Sequence, residues 1–307
     1  MLLTFGIFTI IKNHTPLLVE SGDIYCDWNS STVSAGTQRD VVFLFATNIG
    51  KGLHLAYISL RSTGSNCRII LFIPNELYIS PKDQKMLKLY KVEVVRIREN
   101  IRNGKKVPHM DRYEHEYEWL TKNLKNVDRV FHTDAFDVFF QGDPFADIIT
   151  NNSLTLALEP HQFRSCGWNL AWIKECYGDT VLGQLHHNFI LCSGSIGGSA
   201  QEYLKLMDLM ITSEHWNKCW DSSMDQPILN YMIWSGKATK EGINYKLTGC
   251  NEGFFTMQWC IKGKNILFNE HKQLVSNEGT VPVYIHQYNR YEALQNLLFE
   301  KCHITNY

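Results

Sequence analysis

Two short apolar runs and a third strand-like run, separated by stretches of helical spacing, constrain this chain more than any other feature. Val41–Ala46 (VVFLFA) and Arg68–Ile73 (RIILFI) read as buried strands and Val92–Ile97 as a third strand, and Leu53–Arg61 and Pro81–Leu89 between them read as helices. A strand, a helix and a second strand in that order close as a parallel crossover. Asp111 is placed to cap a helix running to about Leu124, with Tyr113, Tyr117, Leu120 and Leu124 on one face, and the strand Val130–Thr133 follows at once. Beyond it, Leu154–Leu158, Phe189–Cys192 and Val283–His286 read as further strands. Ser199-Ala200-Gln201-Glu202 has the form of a capping box, opening a helix with Leu204, Met207 and Ile211 inward. Pro227 suits the first turn of a helix reaching about Trp234. The pattern predicts an α/β fold whose early half is an open, mostly parallel sheet. The later half mixes strands, helices and loops.

Composition excludes several classes. The 307 residues are 44% hydrophobic and 20% charged, enough for a sizeable core in one large or two small domains. A formal net charge of -1, with no basic run longer than Lys105-Lys106, gives no electrostatic case for a nucleic-acid partner. The nine cysteines include no C-x-x-C pair, which argues against structural zinc or thioredoxin-type chemistry. Buried thiols and a few disulfides both remain open readings. Leu2–Ile11 is an apolar stretch of signal-peptide length, too short to span a bilayer, with Val19-Glu20-Ser21 beyond it. Sequons stand at Asn13, Asn29 and Asn151. These features predict a secretory-pathway protein, in the Golgi, with a cytoplasmic location as the alternative. Residues 1–39 read as a leader and stem with a linker over Ser30–Thr37; 40–150 and 151–307 read as the two halves of one domain.

The most informative segment is Phe131-His132-Thr133-Asp134-Ala135-Phe136-Asp137-Val138-Phe139-Phe140. A buried strand ends in Asp134, a second acid follows three residues on, and the chain then turns apolar again until Asp143-Pro144-Phe145 turns it. In open α/β sheets the ligand crevice lies outside the carboxyl ends of the strands. Two hard oxygen donors there suit Mg²⁺ or Mn²⁺, which take diphosphate oxygens for their remaining positions. A solvated pair of turn acids is the competing reading.

DAFDVFFQGDPF resembles the metal-binding element of GT-A fold glycosyltransferases, closest to a group with a DxRDVxFQxDPF-like pattern. The spacing departs from the general DxD form, and Phe136 stands where that group has Arg. Tyr284-Ile285-His286-Gln287-Tyr288-Asn289-Arg290 resembles the HQYDR element that ends the same group, with Asn289 for Asp. The likeness covers roughly residues 41–300. It implies a Rossmann-like, mostly parallel sheet flanked by helices, with a mixed subdomain on the acceptor side. It implies that Asp134, Asp137 and His286 hold Mn²⁺ or Mg²⁺, and that Thr47 and Asn48 meet the nucleoside. Arg112 would reach the diphosphate. Ser193 and Gly194 match an NSG-type loop in which Cys192 replaces Asn. Asp225 and Gln226 would face the donor sugar or acceptor, with Asp225 the candidate base. The implied activity is sugar transfer from a nucleoside diphosphate, UDP, to a hydroxyl of a glycan or glycoconjugate. The alternatives are a decayed, non-catalytic nucleotide- or sugar-binding scaffold and a metal-dependent phosphohydrolase using Asp134 as nucleophile.

Overall fold

The computed structural model of the chain describes residues 25–222, 224–261 and 265–305. The apolar stretch Leu2–Ile11, the Val19-Glu20-Ser21 triplet and the Asn13 sequon lie outside the described residues. The predicted alternation opens the fold. Strand β1 (Asp40–Phe45) leads to α1 (Lys51–Ser62), β2 (Arg68–Pro74), α2 (Pro81–Leu89) and β3 (Val92–Ile97). A small hairpin, β4 (Ile101–Arg102) and β5 (Lys105–Lys106), precedes α3 (Pro108–Asn123), β6 (Arg129–Thr133) and β7 (Val138–Phe140). Then come β8 (Leu154–Gln162), α4 (Gly167–Tyr177), α5 (Asp179–Leu185), β9 (Phe189–Ser199), α6 (Ala200–Ile211), α7 (Trp216–Asp221) and α8 (Gln226–Trp234). The tail adds β10 (Tyr245–Thr248), β11 (Phe254–Thr256), the β12–β13 hairpin (Leu267–Phe268, Leu274–Val275), β14 (Tyr284–His286) and a last helix, Glu292–Lys301.

The main sheet has seven strands in the order β10-β8-β9-β6-β1-β2-β3. Neighbours pair in parallel except β9, which runs against both β6 and β8. The molecule is thus α/β, with a mostly parallel sheet flanked by helices. Successive residues of a strand face opposite sides. Val42, Leu44, Ile69 and Leu71 accordingly pack with α1 and a second, three-stranded sheet, whereas Val41, Phe43, Ile70 and Phe72 pack with α3 and α6. The second sheet has the order β11-β14-β7, and β14 runs parallel to β11 and antiparallel to β7.

Several local expectations are corrected. Helix α3 starts at Pro108, not at Asp111: proline fixes a helical φ and gives up an N–H that no helix bond would use. Asp111 sits inside the first turn and accepts hydrogen bonds from Asn100 N (3.1 Å) and Nδ2 (2.8 Å). Tyr113 and Leu120 are buried as expected, while Tyr117 and Leu124 are only partly so. The glycine-rich segment after Cys192 is not a loop but the continuation of β9 to Ser199. Its backbone is paired on both edges, and a Cβ at Gly197 would lie 2.6 Å from Ile149 Cδ1. The capping box does not form. Ser199 makes no side-chain cap, and Glu202 accepts from Asn244 N (2.8 Å) and Lys205 Nζ (2.9 Å) instead. Tyr203, Leu206, Met207 and Met210 form the buried stripe of α6, leaving Leu204 and Ile211 at its edge.

The described part of the expected stem lies against the domain. Asp143 accepts from Ala35 N (2.8 Å) and Gly36 N (2.7 Å), and Asp143 N donates to Thr32 Oγ1 (2.7 Å). Both cysteine readings hold in part: Cys26–Cys302, Cys176–Cys219 and Cys250–Cys260 are disulfides, and Cys67, Cys166 and Cys192 are free and buried. Among the described residues no helix is long and apolar enough to cross a membrane.

Cys26–Cys302 closes a loop of 276 residues, so its loss frees the unfolded chain most. Replacing both cysteines with serine is expected to lower unfolding stability by about 2–4 kcal/mol in urea titration. An unchanged midpoint would show that the segment is held by its hydrogen bonds alone.

Candidate metal site

The site forms where the chain passes from the large sheet to the small one. Strand β6 ends at Thr133, and Asp134 to Asp137 bridge to β7. Antiparallel pairing of β14 with β7 sets His286 opposite Val138, directly beside Asp137. Gln287 then takes a left-handed turn (φ 62°) and donates its N–H to Asp137 O at 2.7 Å, while the Tyr288 hydroxyl donates to Phe136 O at 3.1 Å. Two acids from mid-chain and an imidazole from the tail therefore converge. His286 Nε2 lies 2.9 Å from Asp134 Oδ2 and 3.7 Å from Asp137 Oδ1. One donor atom from each of the three lies within 4.8 Å of the others, so the group can hold a metal ion.

Gly194 of β9 forms the floor. A Cβ there would stand 2.6 Å from Asp134 Oδ2 and 2.9 Å from His286 Cε1. Behind the triad, the Cys192 thiol contacts His286 Nδ1 at 3.4 Å. The Tyr284 hydroxyl donates to Gly194 O (3.1 Å) and meets Thr133 Oγ1 at 2.6 Å.

Arg112 is not a surface residue. The residue is 6% exposed, and its guanidinium pairs with both Asp134 Oδ1 and Asp225 Oδ2, the latter at 2.8 Å. The Tyr113 hydroxyl donates to the same Asp225 oxygen (3.1 Å). Asp225 precedes α8, and Gln226 opens that helix with its side chain fully engaged. Gln226 accepts from Ser193 N (3.2 Å) and donates to Asn169 Oδ1 (2.7 Å). Thr47, Pro108, Arg112, Asp134, Asp137 and Asn289 line a cavity of about 310 Å³ in front of the acids. Asn48 lies exposed on the turn beyond Thr47. A cavity of about 350 Å³ at the opposite end of β1, among Thr37, Asp128, Arg129 and Asn151, contains none of the predicted site residues.

The charges shape one another. Enclosure disfavours ionised Asp134, yet the Arg112 guanidinium and the His286 hydrogen bond hold its carboxyl well below the usual range. Burial likewise opposes charge on Asp225, and Arg112 overcomes it and lowers that carboxyl. At Asp137 burial wins, aided by the charge of Asp134, and the carboxyl is raised despite His286. Burial disfavours the His286 imidazolium, but Tyr284, Cys192, Asp137 and Asp134 around it hold its proton well above the ordinary histidine range.

Sequence reasoning missed Tyr113, Asn169, Tyr284 and the buried pair of His132 Nδ1 with Glu116 (2.7 Å), which stacks under Tyr113. Tyr113 is legible as a buried helix position, but its hydroxyl partner comes from a distant helix. Trp216 and Trp220 are core residues, whereas Trp168 is exposed. A search of protein-family models and of curated proteins matches none to this chain.

Removing Arg112 strands two buried carboxylates. Arg112→Met is expected to cost about 3–5 kcal/mol at neutral pH. Groups with depressed pKa values contribute stability above their unfolded values and lose it as pH falls through the folded ones. The wild type should therefore lose stability on acidification below the ordinary carboxylate range, and the variant should lose less. Identical acid limbs in urea unfolding would contradict the ion-pair assignment.

Proposed function

We propose that the chain is a metal-dependent glycosyltransferase of the GT-A type, moving a sugar from a nucleoside diphosphate, UDP, to a hydroxyl of a glycan or glycoconjugate. The convergence of Asp134, Asp137 and His286 carries the reading. Two carboxylate oxygens and an imidazole fit Mn²⁺, or Mg²⁺, with positions left for diphosphate oxygens. Gly194 supports the same reading, since any side chain there would fill the cradle. Such an ion, when bound, neutralises charge on a departing nucleoside diphosphate.

The chain's own residues do the positioning. Arg112 holds one oxygen of Asp134, leaving Oδ2 turned toward His286 and Asp137. His286 must give up its proton to ligate, so metal affinity rises with pH. Thr47 lines the same cavity as the acids, and there we assign the nucleoside. Gly194 lets Asp134 and His286 close over the strand, Ser193 N is held by Gln226, and Asp225 and Gln226 form the buried support behind the sugar side. The Asp134 oxygens face Arg112 and His286, an arrangement that disfavours attack by this carboxylate as a phosphohydrolase nucleophile. The three disulfides support our further proposal of a secretory-pathway, Golgi location.

The test is release of UDP from a panel of UDP-hexoses and UDP-pentoses with MnCl₂. Release is expected to be abolished by EDTA and lowered at least about 100-fold by Asp137→Ala. Full activity in that variant would overturn the metal assignment. Metal-dependent UDP binding with no turnover of any donor would replace the enzyme reading with the binding-scaffold one.

A further inference from the structure

The residue first considered as base, Asp225, is poorly suited to take a proton. Its Oδ2 accepts from both Arg112 Nη2 (2.8 Å) and Tyr113 (3.1 Å), and the guanidinium lowers its basicity. The Gln226 amide is held by Ser193 and Asn169. Another acid stands at the same end of the main sheet with one oxygen free of any hydrogen bond.

Glu159 is near the carboxyl end of β8, which runs in the same direction as β6 with β9 between them. Two strand spacings separate β8 from β6, about 10 Å, which leaves room for a sugar beside a metal-bound diphosphate. Ala157, two residues earlier on β8, packs with the cluster that includes Cys192 and the small sheet, the side that also carries His286. Glu159 is only 3% exposed, and its Oε2 has no hydrogen-bond partner. Of the titratable side chains, His161 from its own strand lies against it with Nε2 at 3.6 Å, and the charge of His286 on β14 acts on it from beyond ion-pair distance. The Trp259 ring stacks on His161 with centroids 3.6 Å apart, three residues past the Thr256 that pairs with His286. A buried carboxylate oxygen without a hydrogen bond is expensive unless a ligand completes it.

We propose that Glu159, not Asp225, accepts the proton of the attacking hydroxyl. The inference rests on the transferase reading above. In the step, the acceptor O–H bond breaks and its proton moves to Glu159 Oε2. The freed oxygen pair bonds the anomeric carbon, and the bond from that carbon to the diphosphate oxygen breaks, its electrons leaving on the diphosphate. Water in place of the acceptor gives UDP and free sugar by the same balance. Burial pushes the Glu159 carboxyl up to about 8, against the opposing pull of His286, which places it in the range a proton acceptor needs near neutral pH.

The experiment compares wild type with Glu159→Gln, using UDP with MnCl₂ for binding and UDP-hexose hydrolysis for turnover. The variant should fold: an acid whose pKa is raised on folding loses stability as pH climbs from its unfolded value to its folded one, and glutamine has no such loss. UDP–Mn²⁺ affinity is expected to stay within about twofold, while hydrolysis falls on the order of 100-fold or more. The wild-type rate should climb with pH as the Glu159 carboxyl ionises, and the variant's should not. A variant that hydrolyses at the wild-type rate, or that is slow but keeps the same pH limb, overturns the role of Glu159 alone. Failure of the wild type to bind UDP with Mn²⁺ overturns the transferase reading and this inference together.

Discussion

Asp134 is gripped from two directions: Arg112 holds one of its oxygens, and His286 faces the other. Everything else in the candidate site is arranged around that carboxylate. Arg112 passes the constraint to Asp225 and the start of α8, and His286 passes it to Asp137 and β14. Burying such charges costs desolvation that roughly offsets their attraction, so the network is a weak stabiliser and a strong positioner. Its value lies in fixing where one free carboxylate edge points. A third of the Asp134 side chain remains exposed to the cavity, although its partners Arg112 and His286 are almost wholly buried.

The main sheet was legible because its signals are local. VVFLFA, RIILFI and the Tyr113/Leu120 spacing declare themselves within a few residues, and each became the element it implied. The acids were legible for the same reason: Asp134 ends a strand whose burial is written in Val130 and Phe131. Their partner was not. His286 is placed by pairing between two three-residue strands about 150 positions apart in sequence, and such strands leave no periodicity to read. Only the likeness of YIHQYNR to a known element brought it into view.

The errors share a physical cause. Gly194, Gly197 and Gly198 look like a turn in isolation, yet β9 needs them because Asp134, Ile149 and the backbone at Ser153 crowd their Cβ positions. Glu202 has the spacing of a capping residue, but Asn244 from the tail offers it a better partner. The partners of Arg112 cannot be read locally either, since only the fold brings Asp134 and Asp225 against it. In each case a long-range contact outranks a local preference. Glu159 belongs with these: nothing in LTLALEPHQ marks it, and its interest arises from what surrounds it after folding.

The account stands on one cation bridging the acids, the imidazole and a diphosphate. Anomalous scattering from a crystal grown with MnCl₂ and UDP measures this directly. The predicted result is a manganese peak within ligand distance of Asp134, Asp137 and His286, with diphosphate oxygens completing its shell. UDP bound elsewhere, or manganese seated away from His286, would contradict it.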